Sequence, residues 1–491
     1  MPIRLRWRKS SPCWPIGWML WEWRRTRSPP AERRSGVRAF GSSIVPPEIE
    51  PPNRRTAEPP NGFVRMYWLY SLGLGAFLVA GLPAFALQAL LRGKYRRGLG
   101  ERLGRVPAWT GPVPPVWLHA VSVGEVVAAT PLVRELTARR PELPLLVSTV
   151  TDTGRGVAEA RLPAKQFVFF PLDFGWAVGR ALDRVRPRAV LLTETEIWPN
   201  FLRACSARGI PVVLVNGRIS PRSFPRYRQV RGLFGRVLQE IRLFCMQTPE
   251  DASRVLDLGA PRERVHVVGN LKFDLAGLSP TTGGTAGGTD GPAVRQMLGL
   301  PSSRPVLVAG STHRGEEGLI ADAFKAVRRS VPDLTLILVP RHPERLGEVE
   351  ALLEREGLPW VRRSRVPTQG GAAVILVDTM GELGRLYAAG TVVFVGGSLV
   401  PIGGHNILEP AIHARPVLFG PHMGNFAEMA RLFLEQRAGV EVRDAGALAE
   451  ETLRLLREPG VAERMGETGR RIVEAHRGAG RRTMDLLEAV L

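Results

Sequence analysis

From residue 116 onward, short apolar runs alternate with longer stretches of helical character. Each run is rich in valine, leucine, isoleucine and phenylalanine, which is typical of strands buried on both faces of a sheet. Strands that alternate with helices predict a doubly wound parallel sheet, which binds ligands at the carboxyl ends of its strands. The predicted strands are 116–120, 145–150, 166–170, 189–193, 212–215, 243–246, 265–268, 306–309, 334–339, 373–377, 392–395 and 416–419.

A low-complexity stretch rich in glycine and threonine divides these strands into two series. Its composition predicts a flexible interdomain linker, placed at 275–300. A chain of 491 residues also favours two core-sized domains. We therefore predict an α/β protein with Rossmann-like domains at 107–274 and 301–491. Two such domains facing a cleft make the GT-B architecture of many nucleotide-sugar transferases.

The segment 66–91 contains no charged residue and is long enough to span a bilayer. Basic residues follow it directly, including Arg92, Lys94, Arg96 and Arg97. By the positive-inside bias, the chain after this segment lies in the cytoplasm. We predict a membrane-anchoring helix with a basic flank over 66–106, in contact with anionic lipids. The alternative is a helix that lies in the membrane interface.

The formal net charge of the chain is +21, and an excess of 8 positive charges falls in residues 1–65. That segment is rich in arginine and proline, so we interpret it as disordered or as a misassigned extension. A basic chain is compatible with nucleic acid, an anionic membrane or anionic substrates. No nucleic-acid-binding motif is present, so we expect no nucleic-acid partner. The three cysteines are far apart, which fits a reducing compartment.

One glycine-rich stretch, VGGSLVPIGGHNILEPA (395–411), lies between a predicted strand and a predicted helix. Free backbone N–H groups and a helix start at this point favour a phosphate. Glu409 would lie about one turn inside the helix, where it could accept a hydrogen bond from a ribose hydroxyl. The alternative is a tight turn that needs glycines for positive φ.

Further charged residues follow predicted strands. Glu125 opens a helix after the first strand, either as a general base or as a favourable helix-start residue. Glu194 follows the fourth strand, as a site carboxylate or a solvated turn acid. Lys272 and Arg341 offer positive charge for a phosphate or are surface residues. No His, Cys, Asp or Glu spacing indicates a metal site, and His342 and His405 do not have ligand spacing.

Eight sequence blocks in this order resemble the Kdo transferase family, which moves 3-deoxy-manno-octulosonic acid (Kdo) from CMP-Kdo to a lipid A precursor. The resemblance covers about residue 66 to the end. One departure is Arg314, where the family usually has an acidic residue. The blocks are HAVSVGE (119–125), ETEIWPN (194–200), NGRIS (216–220), GNLKFD (269–274), STHRGEE (311–317), PRHPER (340–345), DTMGEL (378–383) and GGSLVPIGGHNILEPA (396–411).

The resemblance implies an inverting enzyme on the cytoplasmic face of the inner membrane, without metal or cofactor. Glu125 matches the family's base, and Glu194 and Lys272 match its transition-state stabilisers. The first domain then takes the lipid acceptor and the second takes CMP-Kdo. The implied CMP contacts are Pro340, Arg341, Met380, Gly381, Glu382, Asn406, Ile407, Leu408 and Glu409. Alternatives are another GT-B transferase, a sugar-nucleotide epimerase, or a non-catalytic membrane-bound nucleotide sensor.

Overall fold

The computed structural model describes residues 61–92, 98–276, 291–366 and 372–491. Most of the segment interpreted as disordered lies outside the described residues, as do Lys94, Arg96 and Arg97 and most of the predicted linker. Within the described ranges the chain divides into two compact units. The first consists of residues up to Gly269 together with Gly480–Leu491, and the second is Asn270–Ala479.

Helix α1 (Asn61–Arg92) includes the segment predicted as a membrane anchor. Part of this helix packs on the first unit, where Asn200 Nδ2 donates a hydrogen bond to Ser71 Oγ at 3.0 Å. None of the helices in the described ranges has both the length and the apolar character needed to cross a membrane. Among the described side chains of α1, four large apolar ones are exposed, namely Trp68, Leu69, Leu72 and Val79.

The first unit is built on a seven-stranded sheet in the order β3-β2-β1-β4-β5-β6-β7. All its strand pairs are parallel. The strands are β1 (Val116–His119), β2 (Leu145–Thr149), β3 (Gln166–Phe169), β4 (Ala189–Thr193), β5 (Val212–Gly217), β6 (Leu243–Met246) and β7 (Val265–Val267). Helix α2 (Leu99–Arg102) precedes β1. The helices between the strands are α3 (Val123–Arg139), α4 (Asp152–Arg161), α5 (Gly175–Val185), α6 (Pro199–Ser206), α7 (Phe224–Gln229), α8 (Arg231–Leu238) and α9 (Pro249–Asp257).

The second unit has its own seven-stranded parallel sheet, in the order β10-β11-β9-β8-β12-β13-β14. Its strands are β8 (Val306–Thr312), β9 (Thr335–Pro340), β10 (Trp360–Arg362), β11 (Val374–Leu376), β12 (Val392–Val395), β13 (Val417–Phe419) and β14 (Gly439–Glu441). Its helices are α10 (Gly291–Met297), α11 (Glu316–Arg328), α12 (Leu346–Arg355), α13 (Leu383–Leu386), α14 (Leu408–Ala411), α15 (Ala427–Glu435), α16 (Ala445–Arg457) and α17 (Pro459–His476).

The predicted α/β class is confirmed, because both sheets are parallel and carry helices between successive strands. The central strands are apolar runs whose residues are buried, as in β1 and β12. Large side chains fill the space between sheet and helices. Trp117 of β1, for example, packs edge-on against Phe201 of α6 at a ring-centroid distance of 5.6 Å. Burial of such runs is the main source of stability in this fold.

The domain boundaries differ from those predicted in two places. The second unit begins at Asn270, so Lys272 lies in it and not in the first domain. At the carboxyl end, helix α18 spans Ala479–Leu487. The second unit ends at Ala479, and Gly480–Leu491 belongs to the first unit. There Arg139 Nη1 lies 2.6 Å from Asp485 Oδ1. The reason is tertiary packing of a terminal helix, which composition does not indicate.

Candidate active site

The first unit has its topological switch point between β1 and β4, where the strand order reverses. These two strands are neighbours, with His119 opposite Leu192. Loops that leave such a pair in opposite directions open a crevice at the carboxyl edge of the sheet. Glu125 follows β1 and Glu194 follows β4, so the fold places both predicted residues at this edge.

Glu125 lies in the first turn of α3, and its carboxylate is held by three donors. Its Oε1 accepts from Ser122 Oγ at 2.9 Å. Its Oε2 accepts from the Val121 N–H at 2.9 Å and from Thr193 Oγ1 at 2.7 Å. Ser122 is the N-cap of α3, and its hydroxyl accepts from the Glu125 N–H at 3.4 Å. The helix-start role and a fixed, buried carboxylate are therefore combined in one residue.

The surroundings of Glu125 favour the neutral, protonated form of its carboxyl group. Burial, followed by the nearby charge of Glu194, raises the pKa of Glu125 to about 7, although its three donors act in the opposite direction. The pKa of Glu196 is raised well above its ordinary range by burial and then by Glu125. A carboxyl group with a pKa near the working pH is suited to general acid–base catalysis.

Glu194 has a left-handed backbone conformation, with φ of 53°. A residue other than glycine in this region costs on the order of 1–3 kcal/mol, and such strain is concentrated at functional sites. Its N–H donates to the Val215 carbonyl at 3.0 Å, which fixes the turn after β4. Two residues further on, Glu196 accepts from Trp198 Nε1 at 3.0 Å. Like Glu194, it follows β4 at the edge where ligands are predicted, and it belongs to the ETEIWPN block.

His119 is a core residue rather than part of the site. Its ring stacks on Phe170 with a centroid distance of 3.8 Å, and its Nδ1 lies 2.9 Å from Ser148 Oγ. Complete burial lowers the pKa of His119 to about 3, so the ring is neutral near pH 7.

The second unit reverses its strand order between β8 and β12, and two histidines meet at this point. His313 Nε2 lies 2.8 Å from His405 Nε2, with the rings stacked at 5.1 Å. Burial and then neighbouring positive charge, that of Arg341 among others, lower the pKa of His313 to about 4 and that of His405 to about 3. The contact between two neutral rings requires one N–H donor and one acceptor. His313 was not predicted as a site residue.

The glycine-rich loop after β12 does not present the free N–H groups that the sequence suggests. The fully buried carboxylate of Glu316 accepts from the N–H groups of Gly397 at 2.6 Å, Ser398 at 2.9 Å and Leu399 at 2.9 Å. It also accepts from the His313 N–H at 2.9 Å. An internal carboxylate therefore occupies the place where a phosphate was expected.

The tight-turn alternative explains the first glycines of that loop. A Cβ at Gly396 would lie 2.6 Å from the carbonyl oxygen of Ser311, which is closer than real contacts allow. Gly397 has φ of 67°, a conformation that favours glycine. The loop therefore needs its glycines for packing against β8 and for its turn.

The predicted donor contacts follow neighbouring strands of the second sheet. Pro340 ends β9. The Arg341 N–H donates to the Thr312 carbonyl at 2.9 Å, and the Arg341 side chain is exposed at this edge of the sheet. Met380 is 75% exposed. Gly381 has positive φ, and Glu382 accepts from Thr379 Oγ1 at 2.6 Å.

The segment from Asn406 to Glu409 combines polar and core positions. Asn406 Nδ2 donates to Glu409 Oε1 at 3.2 Å, and Asn406 Oδ1 accepts from the Leu408 N–H at 3.1 Å. The side chains of Ile407 and Leu408 are fully buried in the core. Any contact of these two residues with a ligand therefore uses their main chain.

Lys272 lies close to the second glycine pair of the same unit. Its Nζ donates to the Asn425 carbonyl at 3.4 Å, and the Asn425 N–H donates to Gly403 at 2.8 Å. Arg314, the departure from the family pattern, instead forms a two-point ion pair with Glu348, with atoms 3.1 and 2.6 Å apart. That pair is at the surface and has no part in the cluster.

Across the ranges that the structure describes, no group of three or more His, Cys, Asp or Glu side chains has the arrangement of a metal site.

Known proteins are similar to this chain over most of its length. A family model described as 3-deoxy-D-manno-octulosonic-acid transferase (kdotransferase) matches residues 97–275. The 3-deoxy-D-manno-octulosonic acid transferase of Haemophilus influenzae is 37% identical over 407 residues, 81% of this chain and 92% of that protein. The same enzyme of Bordetella pertussis is 38% identical over 409 residues, 79% and 90% of the two chains.

Among solved structures, the C-terminal CMP-Kdo binding domain of WaaA from Acinetobacter baumannii is 36% identical, with a TM-score of 0.35. The match covers 37% of this chain and 95% of that domain. Two parallel α/β units and the two transferase relatives define a glycosyltransferase. The chain belongs to the 3-deoxy-D-manno-octulosonic acid transferase family.

Proposed function

We propose that this protein transfers Kdo from CMP-Kdo to a lipid A precursor, with inversion at the anomeric carbon and without a metal ion. The observation that carries the proposal is the carboxylate of Glu125. It is buried, fixed by three donors and tuned to a pKa of about 7 at the switch point of the first sheet. A sugar hydroxyl is a poor nucleophile near neutral pH, so such a base assists its attack.

In the proposed reaction, Glu125 takes the proton of the acceptor hydroxyl. The oxygen attacks the anomeric carbon of Kdo on the face opposite the phosphate, which forms the new glycosidic bond. The bond between that carbon and the phosphate oxygen breaks, and CMP leaves with the electron pair. Attack from the opposite face inverts the anomeric configuration. The donor would be held by the second unit.

Charge on the departing CMP is balanced by cations of the second unit. Arg341 is exposed at the carboxyl edge of the sheet and offers a fork of donors to the phosphate. Lys272 offers a second positive charge near the glycine pair at 403–404. Glu194, which lies close enough to Glu125 to raise its pKa, would stabilise positive charge on the sugar in the transition state.

The test is an incubation of the purified full chain with CMP-Kdo and tetra-acylated lipid A precursor, followed by mass spectrometry of the lipid. Transfer adds the mass of one or more Kdo units and releases CMP in equal amount. Release of CMP without a heavier lipid, or CMP-Kdo left intact, would contradict the proposal. An epimerase would change the sugar nucleotide alone, and a nucleotide sensor would bind CMP-Kdo without turnover.

Metal independence gives a further prediction. Activity should be unchanged after treatment with EDTA and removal of the chelator, because arginine and lysine side chains supply the positive charge. Transfer rates before and after treatment, with magnesium or manganese added back, provide the measurement. A loss with EDTA that either metal restores would show that the enzyme uses a metal ion.

We also propose that the protein acts at the cytoplasmic face of the inner membrane, where its lipid acceptor lies. Support comes from the uncharged segment 66–91 and from the basic residues that follow it. Each basic residue near an anionic surface contributes on the order of 1 kcal/mol to binding. The exposed Trp68, Leu69 and Leu72 of α1 are suited to contact with lipid.

Changing Arg92, Lys94, Arg96 and Arg97 together to glutamine should weaken binding to anionic liposomes and raise the KM for the lipid acceptor. The KM for CMP-Kdo should not change. Co-sedimentation with liposomes at several salt concentrations and steady-state kinetics are the measurements. The matched control changes four arginines elsewhere whose side chains are 68–82% exposed, namely Arg314, Arg355, Arg431 and Arg443. Equal effects of both sets would contradict a localised contact.

A further inference from the structure

A second basic site lies at the opposite edge of the second sheet. A cavity of about 460 Å³ is bordered by Pro305, Thr391 and Pro416, which directly precede β8, β12 and β13. These are the amino ends of the strands, whereas Arg341 and the histidine pair follow the carboxyl ends. The cavity is therefore separate from the proposed donor site, and its size is typical of small-molecule sites.

Four arginines and one glutamate line this cavity, an excess of three positive charges. We call it the arginine cavity, defined by Arg295, Arg304, Arg415 and Arg457. In the part of the chain that the structure describes, none of the four forms an ion pair within 4 Å. Uncompensated charge of this kind attracts an anion.

The two more enclosed arginines are held by neutral partners. Arg295 Nη1 donates to the carbonyls of Ser302 at 2.9 Å and Arg304 at 2.7 Å. Arg415 Nη2 donates to the Ala388 carbonyl at 2.7 Å, while its Nε is buried without a hydrogen-bond partner among the described residues. Burial, followed by the charge of Arg295, lowers the pKa of Arg415. A bound anion would relieve this repulsion and supply the missing acceptor.

The remaining wall of the cavity is largely apolar, with Val331, Leu455, Leu456 and Ala462. A small inorganic ion would leave this wall uncovered. A ligand with an anionic head and an apolar or ring-shaped body would cover both surfaces, because arginine forks match phosphate oxygens and apolar burial is favourable.

We propose that the arginine cavity is a second binding site of this protein, which takes a phosphomonoester joined to an apolar or ring-shaped group. The source of such a ligand is either a lipid-like phosphate or a nucleotide. The inference does not depend on the proposed function, because its test measures binding and not transfer.

The test is isothermal titration calorimetry of the full chain with hexyl phosphate, 5′-AMP and inorganic phosphate. The double variant R304Q/R457Q removes two charges from the rim of the cavity, where neither side chain forms a hydrogen bond or ion pair with a described residue. It should weaken binding of the organic phosphates by about tenfold or more, since a hydrogen bond to a charged group contributes about 1.5–3 kcal/mol. The variant R341Q, in the proposed donor site, should bind hexyl phosphate as the wild type does.

A second variant keeps the charge of the arginine cavity and reduces its volume. Ser303→Trp places a large side chain at the exposed rim of the cavity and should also weaken binding of hexyl phosphate. Tighter binding of hexyl phosphate than of 5′-AMP would identify a lipid-like ligand, and the reverse order a nucleotide. Equal affinity of wild type and R304Q/R457Q, or no measurable binding at millimolar concentration, would overturn the proposal.

Discussion

Replacing Glu125 by glutamine should lower the turnover number for Kdo transfer by about 10²–10⁴-fold, because the acceptor hydroxyl loses its base. Glutamine has nearly the same shape but cannot take the proton. Binding of CMP should be unchanged, since the proposed donor contacts lie in the other unit. Steady-state kinetics and calorimetric titration with CMP are the two measurements.

The pH dependence of turnover gives an independent readout of the same group. Only ionised Glu125 can act as a base, so the wild-type turnover number should rise with pH through about 7, the raised pKa of this carboxyl. The small residual rate of Glu125→Gln should lack this rise. A carboxyl group whose pKa is raised in the folded state also lowers the free energy of unfolding as the pH rises through that value. In Glu125→Gln, the free energy of unfolding should therefore decrease less over the same pH range.

Glu135→Gln is a matched control on the same helix. Its carboxylate is 39% exposed and pairs with Arg139 one turn away. This variant should keep wild-type turnover and the same pH profile. Wild-type turnover in Glu125→Gln would contradict the assignment of Glu125 as the base. A loss of CMP binding together with the loss of turnover would indicate a change in folding instead.

The central strands of both sheets were predictable because each is a short apolar run that is buried on both faces. All twelve predicted strands are present, with ends that differ by a few residues. The two missed strands, β10 and β14, are three residues long and lie at a sheet edge. Half of their surroundings are solvent, so they contain polar residues such as Arg362 and Glu441 and lack the apolar signal.

Single positions of the site were predictable where a charged residue follows a strand, as with Glu125 and Glu194. The contacts between distant segments were not. Glu316 appeared in the STHRGEE block without a role, because its partners Gly397 and Ser398 lie 81 and 82 positions further along the chain. The free N–H groups expected at Gly397, Ser398 and Leu399 were wrong for the same reason, since sequence spacing does not reveal that a buried side chain already accepts from them.

Replacing Glu316 by alanine should strongly destabilise the glycine-rich loop after β12. Its carboxylate accepts from four backbone N–H groups, three of them in the glycine-rich loop. Each buried donor left without an acceptor costs about 1–3 kcal/mol, so we expect a loss of at least about 3 kcal/mol in the stability of this loop. Glu316→Gln should reduce the stability of the loop by a smaller amount. Its amide oxygen still accepts hydrogen bonds, but its NH₂ group faces other donors.

Hydrogen–deuterium exchange measures this effect at the atoms concerned. In Glu316→Ala, the amides of Gly397, Ser398 and Leu399 should exchange much faster than in the wild type, because their acceptor is gone. The affinity for CMP should fall as well, since the same loop leads to Asn406 and Glu409. The matched control is Glu348→Gln, whose carboxylate is 45% exposed and pairs with Arg314 and Arg345 at the surface. It should leave both loop exchange and CMP affinity unchanged. Slow exchange of the loop amides in Glu316→Ala would mean that another group satisfies them, and the loop would then be free to bind a phosphate after all.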